Sequence, residues 1–348
     1  MIPVFDGHND TVLKHLEDPS RDFFERQADG HIDHVRAQEG GMFGGFFAVY
    51  TPGPELAARW THLNTFEGLV YPPPFGPVEL TDAVRNTNAA VATILGWAAD
   101  PTGRFRLVKS AQELKECKEQ GVMAGILHFE GAEAIGPDLA ALDVYHAAGL
   151  RSLGPVWSHP TLFAEGVPFA FPASPDTGPG LTPHGRALIK RCNELGIMID
   201  LSHMNERGFW DVAALSDAPL VATHSNVHAI CPSARNLTDD QLNAVRESGG
   251  VVGLNFATGF LAPDGSRESD LPFEVMVRHV DHLVEKLGVD GVAFGSDFDG
   301  AGISDEIGDV TGLQKLLEAL RGAGYDQETL EKIAWRNWVS VLERTWGA

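Results

Sequence analysis

Eight short apolar runs recur along the chain, at residues 4–10, 41–50, 121–130, 150–157, 196–203, 219–224, 250–256 and 292–297. Most are separated by stretches of helical periodicity, at residues 81–99, 111–119, 139–148, 185–195, 206–215, 238–247 and 273–287, and a last one covers 326–343. No other feature limits the fold so tightly. Runs of this length read as buried strands, and alternation with amphipathic helices implies parallel pairing, because each crossover returns the chain to the same end of the sheet. Thr238 stands where a helix N-cap is needed. Eight units favour a closed (β/α)8 barrel of the TIM type over an open doubly wound sheet, and no GxGxxG turn follows the first run. A barrel of about 250 residues plus insertions fits within the 348 available. Residues 1–348 are therefore read as one domain, with no internal repeat or low-complexity tail.

Two segments fall outside this rhythm. Residues 22–39 are polar and read as helical, with His31 and His34 on the surface. The second strand is ended by Thr51-Pro52-Gly53-Pro54, and an irregular excursion containing Tyr71-Pro72-Pro73-Pro74 follows, of the kind that carries lids or subunit contacts.

The ends of the strands carry the chemistry. His8 and Asp10 close the first run two positions apart, so in a regular strand they share a face. Glu130, His203, His224 and Asp297 each stand at the C-terminal end of another run. In a barrel those ends converge on one mouth, where active sites of this fold are assembled. Taken singly, Asp10 or Asp297 reads as a helix cap and His203 or His224 as a satisfied core group. Together, three imidazoles and three carboxylates suit two metals about 3.5–4 Å apart sharing a carboxylate. Glu130, able to use both oxygens, is the expected bridge. Nitrogen and oxygen ligands without thiolate fit Zn2+ best, with Mn2+ or Co2+ as alternatives. A water held between two such ions has its pKa brought to about 7, and the implied chemistry is hydrolysis of a polarised carbonyl.

A formal charge of −22 argues against nucleic acid or an anionic membrane surface as partner, since both are bound through Lys and Arg. No apolar run approaches the ~20 residues of a membrane helix, and no signal-peptide pattern precedes the first strand, so a cytoplasmic location is expected. Cys117, Cys192 and Cys231 form neither a disulfide framework nor a CxxC zinc signature.

The segments Asp6-Gly7-His8-Asn9-Asp10, His128-Phe129-Glu130-Gly131, Asp200-Leu201-Ser202-His203, Thr223-His224-Ser225, Arg235-Asn236 and Gly295-Ser296-Asp297-Phe298-Asp299-Gly300 resemble, in order and over nearly the whole chain, those of the renal or membrane dipeptidase family. The resemblance implies a barrel of the metal-dependent hydrolase type that cleaves dipeptides, including those ending in a D-residue, and works as a homodimer. It implies one zinc on His8, Asp10 and Glu130 and a second on Glu130, His203 and His224. Asp297 matches the catalytic acid/base and Arg235 the residue that grips the substrate's terminal carboxylate. Both roles suit the side chains: a guanidinium is a planar fork matched to a carboxylate, and a carboxylate beside activated water takes its proton and passes it to the leaving amine. Asp299 is the alternative acid/base, or a turn cap.

The chain departs from that pattern after the fourth run. Mammalian members carry there a His thought to stabilise the oxyanion, and this sequence reads Leu153-Gly154-Pro155-Val156-Trp157-Ser158-His159-Pro160. Trp157 is the direct match and is expected to line the substrate pocket. His159, two residues on, is the candidate replacement as oxyanion donor. Cys231 has no downstream partner for the vertebrate cysteine pairing, and no lipid-anchor tail is recognisable, so the mammalian membrane attachment does not carry over. Other barrel metallohydrolases, acting on N-acyl amino acids, cyclic amides, phosphotriesters or deaminase substrates, are the rival class. Many of them resemble one another in using HxH on the first strand where this chain has HxD. A metal-binding barrel without activity is the non-enzymatic rival.

Overall fold

A computed structural model describes residues 1–53 and 76–347. Pro54 and the Tyr71-Pro72-Pro73-Pro74 run lie outside the described residues. Five parallel strands form one curved sheet in the order β1 (Val4–Asn9), β2 (Met42–Tyr50), β4 (Met123–Glu130), β5 (Leu150–Gly154) and β6 (Met198–Ile199), and β3 (Phe105–Leu107) pairs with β4 beside this path. A second sheet runs β7 (Val221–Ala222), β8 (Val251–Leu254), β9 (Val292–Phe294). Single parallel bridges, Asp200 to Val221 and Asn9 to Phe298, join the two sheets at both edges. The ring of eight strands is thereby closed, and the expected barrel forms; β3 is an addition to it.

The helices sit outside at 80–98, 111–120, 140–148, 183–195, 206–215, 239–247 and 273–287, close to the periodicity of the sequence. Thr238 caps its helix through a reciprocal capping box with Gln241. The segment at 22–39 departs from expectation. Only His34–Gly40 is helical, capped by Asp33, and His34 is buried between Phe23 and Phe24. Aromatic packing on both sides draws the imidazole off the surface. The closing helix is also divided, into Gln327–Glu331, a π-helical turn and Asn337–Trp346.

Alternate residues separate two apolar layers. Phe5, Phe46, Ile126, Met198, Val221, Val251 and Ala293 fill the inside of the barrel together with Trp338. Val4, Phe47, Leu127 and Phe129 face the helices. Trp338 closes the bottom, donating its indole N–H to the carbonyl of Phe294 at 2.9 Å. A Cβ on Gly7 would lie 2.3 Å from this indole, so a side chain there would expel it. Phe5 and Gly7 thus face inward, and in a regular strand His8 would face out. The register of β1 against β2 shifts between Asp6 and Asn9, which is where His8 enters the site. Asp10 stands beyond the strand, at the start of the following helix, with no side-chain capping bond. Strand alternation alone therefore does not bring this pair together.

Candidate metal centre

Glu130 ends β4 and stands at the centre of the site. Its Oε1 lies 2.9 Å from His203 Nε2, 3.5 Å from His224 Nε2 and 3.6 Å from His8 Nε2. His8 Nε2 is 3.3 Å from Asp10 Oδ2, and the His8 ring stacks on His224 at 3.7 Å. His203 and His224 lie beyond strands much shorter than the sequence implies, on turns following β6 and β7. Asp297 follows β9 in a left-handed conformation (φ 60°), its N–H donating to the carbonyl of His8 at 3.0 Å. That turn brings its carboxylate within ligand distance of His8 and Asp10. A Cβ on Gly300 would fall 2.1 Å from Asp10 Oδ2 and 2.7 Å from Asp297 Oδ1, so only glycine lets the two carboxylates meet. All five expected metal ligands, and Asp297 with them, come together.

Hydrogen bonds fix which nitrogen of each imidazole faces inward. Thr223 Oγ1–H donates to Asp200 Oδ2 at 2.6 Å, so at 2.8 Å it accepts from His224 Nδ1. Ser158 Oγ–H donates to the carbonyl of Val167 at 2.7 Å, so at 3.3 Å it accepts from His203 Nδ1. Each ring therefore turns an unprotonated Nε2 into the site, and these two nitrogens are 3.1 Å apart. Among the described residues neither ring nitrogen of the fully buried His8 has a hydrogen-bond partner. Burial pushes His8 down to about 4 and holds His203 and His224 well below the ordinary range, while it raises Asp10 to about 8 and Glu130 well above a normal carboxyl. Lone pairs and carboxylates converge here on buried side chains, an arrangement that is costly until a cation satisfies them. The donor set fits a metal such as Zn2+.

Asp200, also close to His8 and His224, is not free to join. It already accepts from Ser202 N, Ser202 Oγ, Thr223 N and Thr223 Oγ1, and it serves to orient His224 through Thr223. Asn255 escaped the sequence reading. It follows β8 and donates to Asp297 Oδ2 at 2.9 Å. The signal was available, since Asn255 is a polar residue near the C-terminal end of an otherwise apolar run to which no site residue was assigned.

Arg235 is buried, and its contacts are with the site. It donates to Ser225 Oγ (3.1 Å), the carbonyl of His224 (3.1 Å) and His203 Nε2 (3.0 Å), and its guanidinium lies 5.6 Å from the Phe260 ring. Among the described residues its Nε–H has no protein acceptor. A cavity of about 950 Å3 opens over the cluster, with Trp157, Phe169, Phe260 and Tyr50 on its wall. Trp157 is thus placed as expected, its ring 5.7 Å from that of His203. Neither Trp157 nor His159 is on a strand, however, because β5 ends at Gly154. His159 lies off the cavity wall, its Nδ1 held 3.0 Å from the carbonyl of Gly76 and its ring 4.9 Å from Trp157. The three cysteines are buried free thiols, and no helix among the described residues is long and apolar enough to cross a membrane.

Fold and site together define a barrel hydrolase that works with metal. Comparison with known proteins narrows the class: the profile of the family described as membrane dipeptidase (peptidase family M19) matches residues 1–346. The chain belongs to that family and is a metallo-dipeptidase. It is similar to a solved metallo peptidase from Rhodobacter sphaeroides liganded with a phosphinate mimic of the dipeptide L-Ala-D-Ala, at 51% identity and a TM-score of 0.96 over 99% of both chains. It is also similar to the solved dipeptidase AC, at 50% identity and a TM-score of 0.94 over 100% of this chain and 99% of that one. A Klebsiella pneumoniae protein, named only as an uncharacterized protein in the pqqA 5' region, is 52% identical over 248 residues, 71% of this chain and 92% of its own.

Proposed function

We propose that the protein hydrolyses the peptide bond of dipeptides, L-Xaa-D-Xaa among them, at a binuclear zinc site bridged by Glu130. The carrying observation is the meeting of three imidazole nitrogens on one oxygen of Glu130, with Asp10 at the other side of His8. His8, Asp10 and Glu130 would hold one ion and Glu130, His203 and His224 the other. Bound zinc would polarise the scissile carbonyl and lower the pKa of the attacking water.

The chain's own residues do the rest. Arg235, immobilised by Ser225 and the carbonyl of His224, keeps Nε–H for the substrate's terminal carboxylate, which explains selection of a dipeptide over a longer chain. Asp297, steadied by Asn255, takes the proton of the attacking water and delivers it to the leaving amine. Trp157 and Phe169, 5.3 Å apart, offer an apolar wall to the substrate side chains. The oxyanion role of His159 is set aside in this reading, because its Nδ1 donates to the carbonyl of Gly76, which leaves Nε2 of the neutral ring without a proton to donate to an oxyanion. Inclusion of L-Xaa-D-Xaa substrates draws support from the L-Ala-D-Ala mimic bound by the Rhodobacter sphaeroides relative. We also take the protein to work as a cytoplasmic homodimer, which sedimentation and cell fractionation would test.

A screen of L-Xaa-L-Xaa, L-Xaa-D-Xaa and N-acyl-D-amino acid substrates, with metal analysis of the protein assayed, tests the proposal. About two equivalents of zinc and preferential cleavage of dipeptides are expected. Preference for the N-acyl compounds would make it an acylase, and absence of metal after zinc-supplemented expression would refute the binuclear site.

A further inference from the structure

A residue that the sequence places on the surface forms part of the cavity wall. His31 lies between β1 and β2 but is tied to the loop after β9: its backbone N–H donates to Asp299 Oδ1 at 2.6 Å, and the backbone N–H of Asp299 donates to His31 Nδ1 at 2.8 Å. Asp299 is itself fixed, in a left-handed conformation (φ 68°), with Thr11 Oγ1–H donating to its Oδ2 at 3.0 Å. A ring nitrogen that accepts carries no proton, so neutral His31 keeps its proton on Nε2. Among the described residues no protein group accepts that proton. The side chain is 26% exposed and lines the cavity. Lys14 lines the same stretch of wall, its ammonium 3.4 Å from the exposed Glu17.

The barrel order sets where this wall lies relative to the substrate. β7, which Arg235 follows, is three strands from β1 around the ring, and the Arg235 guanidinium reaches back to His203 beyond β6, four strands from β1, so His31 and Arg235 stand across the mouth from each other. A dipeptide whose terminal carboxylate is on Arg235, with its scissile bond at Glu130, extends its amino-terminal residue toward His31 and Lys14; this step rests on the function proposed above. An N–H donor and an ammonium cannot receive the substrate's α-ammonium, which is also a donor and has the same charge as Lys14. They complement an acceptor. We propose that His31 Nε2–H and Lys14 form a specificity subsite for amino-terminal residues whose side chains end in a carboxylate or carboxamide.

Steady-state kinetics on L-Glu-L-Ala, L-Gln-L-Ala and L-norleucyl-L-Ala test this, since the three side chains are of similar length and differ in their acceptors. One hydrogen bond at such a site is worth roughly tenfold in kcat/KM. The wild type should favour the Glu and Gln substrates over norleucine by at least about that factor. His31→Phe should bring the Gln-to-norleucine ratio close to one, and His31→Gln, which retains an N–H donor, should restore part of it. Lys14→Met should lower the rate on the Glu substrate more than on the Gln substrate. Equal wild-type rates on all three, or a ratio unchanged in His31→Phe, would overturn the subsite and leave the dipeptidase reading standing. Failure to cleave any of the three or their L-Xaa-D-Ala counterparts would overturn both.

Discussion

Replacing Thr223 by Val removes one hydroxyl and keeps the shape of the side chain. In the fully buried Thr223 that hydroxyl donates to Asp200 at 2.6 Å and accepts from His224 Nδ1 at 2.8 Å. The first bond ends on a carboxylate, a class worth roughly 1.5–3 kcal/mol, and loss of the second strands a buried N–H at roughly 1–3 kcal/mol. Asp200 keeps its bonds from Ser202 N, Ser202 Oγ and Thr223 N, which places the net loss of stability toward the lower part of the combined range, about 2.5–4 kcal/mol. Metal binding should suffer separately, because nothing then holds the His224 proton on Nδ1 and the lone pair on Nε2. Loss of such an outer partner weakens metal affinity by about 10–100-fold. Urea denaturation of the metal-free protein reads the first effect, and competition for zinc with a chromophoric chelator reads the second. Thr223→Ser retains the hydroxyl and should recover zinc affinity while still losing the packing of the methyl group. A Thr223→Val protein that binds zinc as tightly as wild type would show that the hydroxyl only supports the fold, and the argument from tautomer to metal would fail.

Glu130→Gln removes the charge shared by three imidazoles, and hydrolysis should fall by several orders of magnitude with at least one zinc equivalent lost; near wild-type turnover would rule out the bridging role. Amidation of a dipeptide's C-terminus should cut kcat/KM by about a hundredfold or more through the loss of a charged partner for Arg235, and equal rates on the free and amidated forms would undo that assignment. Stability should also carry the signature of His279, whose pKa burial pushes down to about 4 and which accepts from Val227 N while donating to the carbonyl of Leu261. Its unfolded form titrates near 6.5 and binds the proton first, so its contribution is complete above that pH and is lost as pH falls toward 4, at up to about 1.4 kcal/mol per pH unit. Denaturation of His279→Gln across that interval should give a slope shallower by about this amount, and parallel curves would contradict it.

The linear order of residues determined the ring of strands and the end of it that carries chemistry. Apolar runs alternating with helical periods leave few ways to bury both sheet faces, and polar residues closing those runs at a common end meet wherever the ring closes. His8, Glu130, His203, His224 and Asp297 were legible for that reason. The family likeness added Arg235, whose place against His203 follows from nothing local in its own segment.

The tertiary structure decided what depends on partners distant in the chain. His31 and His34 sit three positions apart in one polar segment, yet Phe23 and Phe24 draw one into the core while the loop at Asp299 sets the other on the cavity wall. His8 faces inward because the pairing of β1 with β2 slips beside it, and beyond Gly154, where β5 stops, Trp157 lies on the wall while His159 is held by the carbonyl of Gly76. The protonated nitrogen of His224 is set by a hydroxyl that the adjacent strand's Asp200 holds in orientation. Periodicity reports which face a residue prefers. Only the folded chain fixes hydrogen-bond direction, and at this site direction determines which lone pairs are left for a metal.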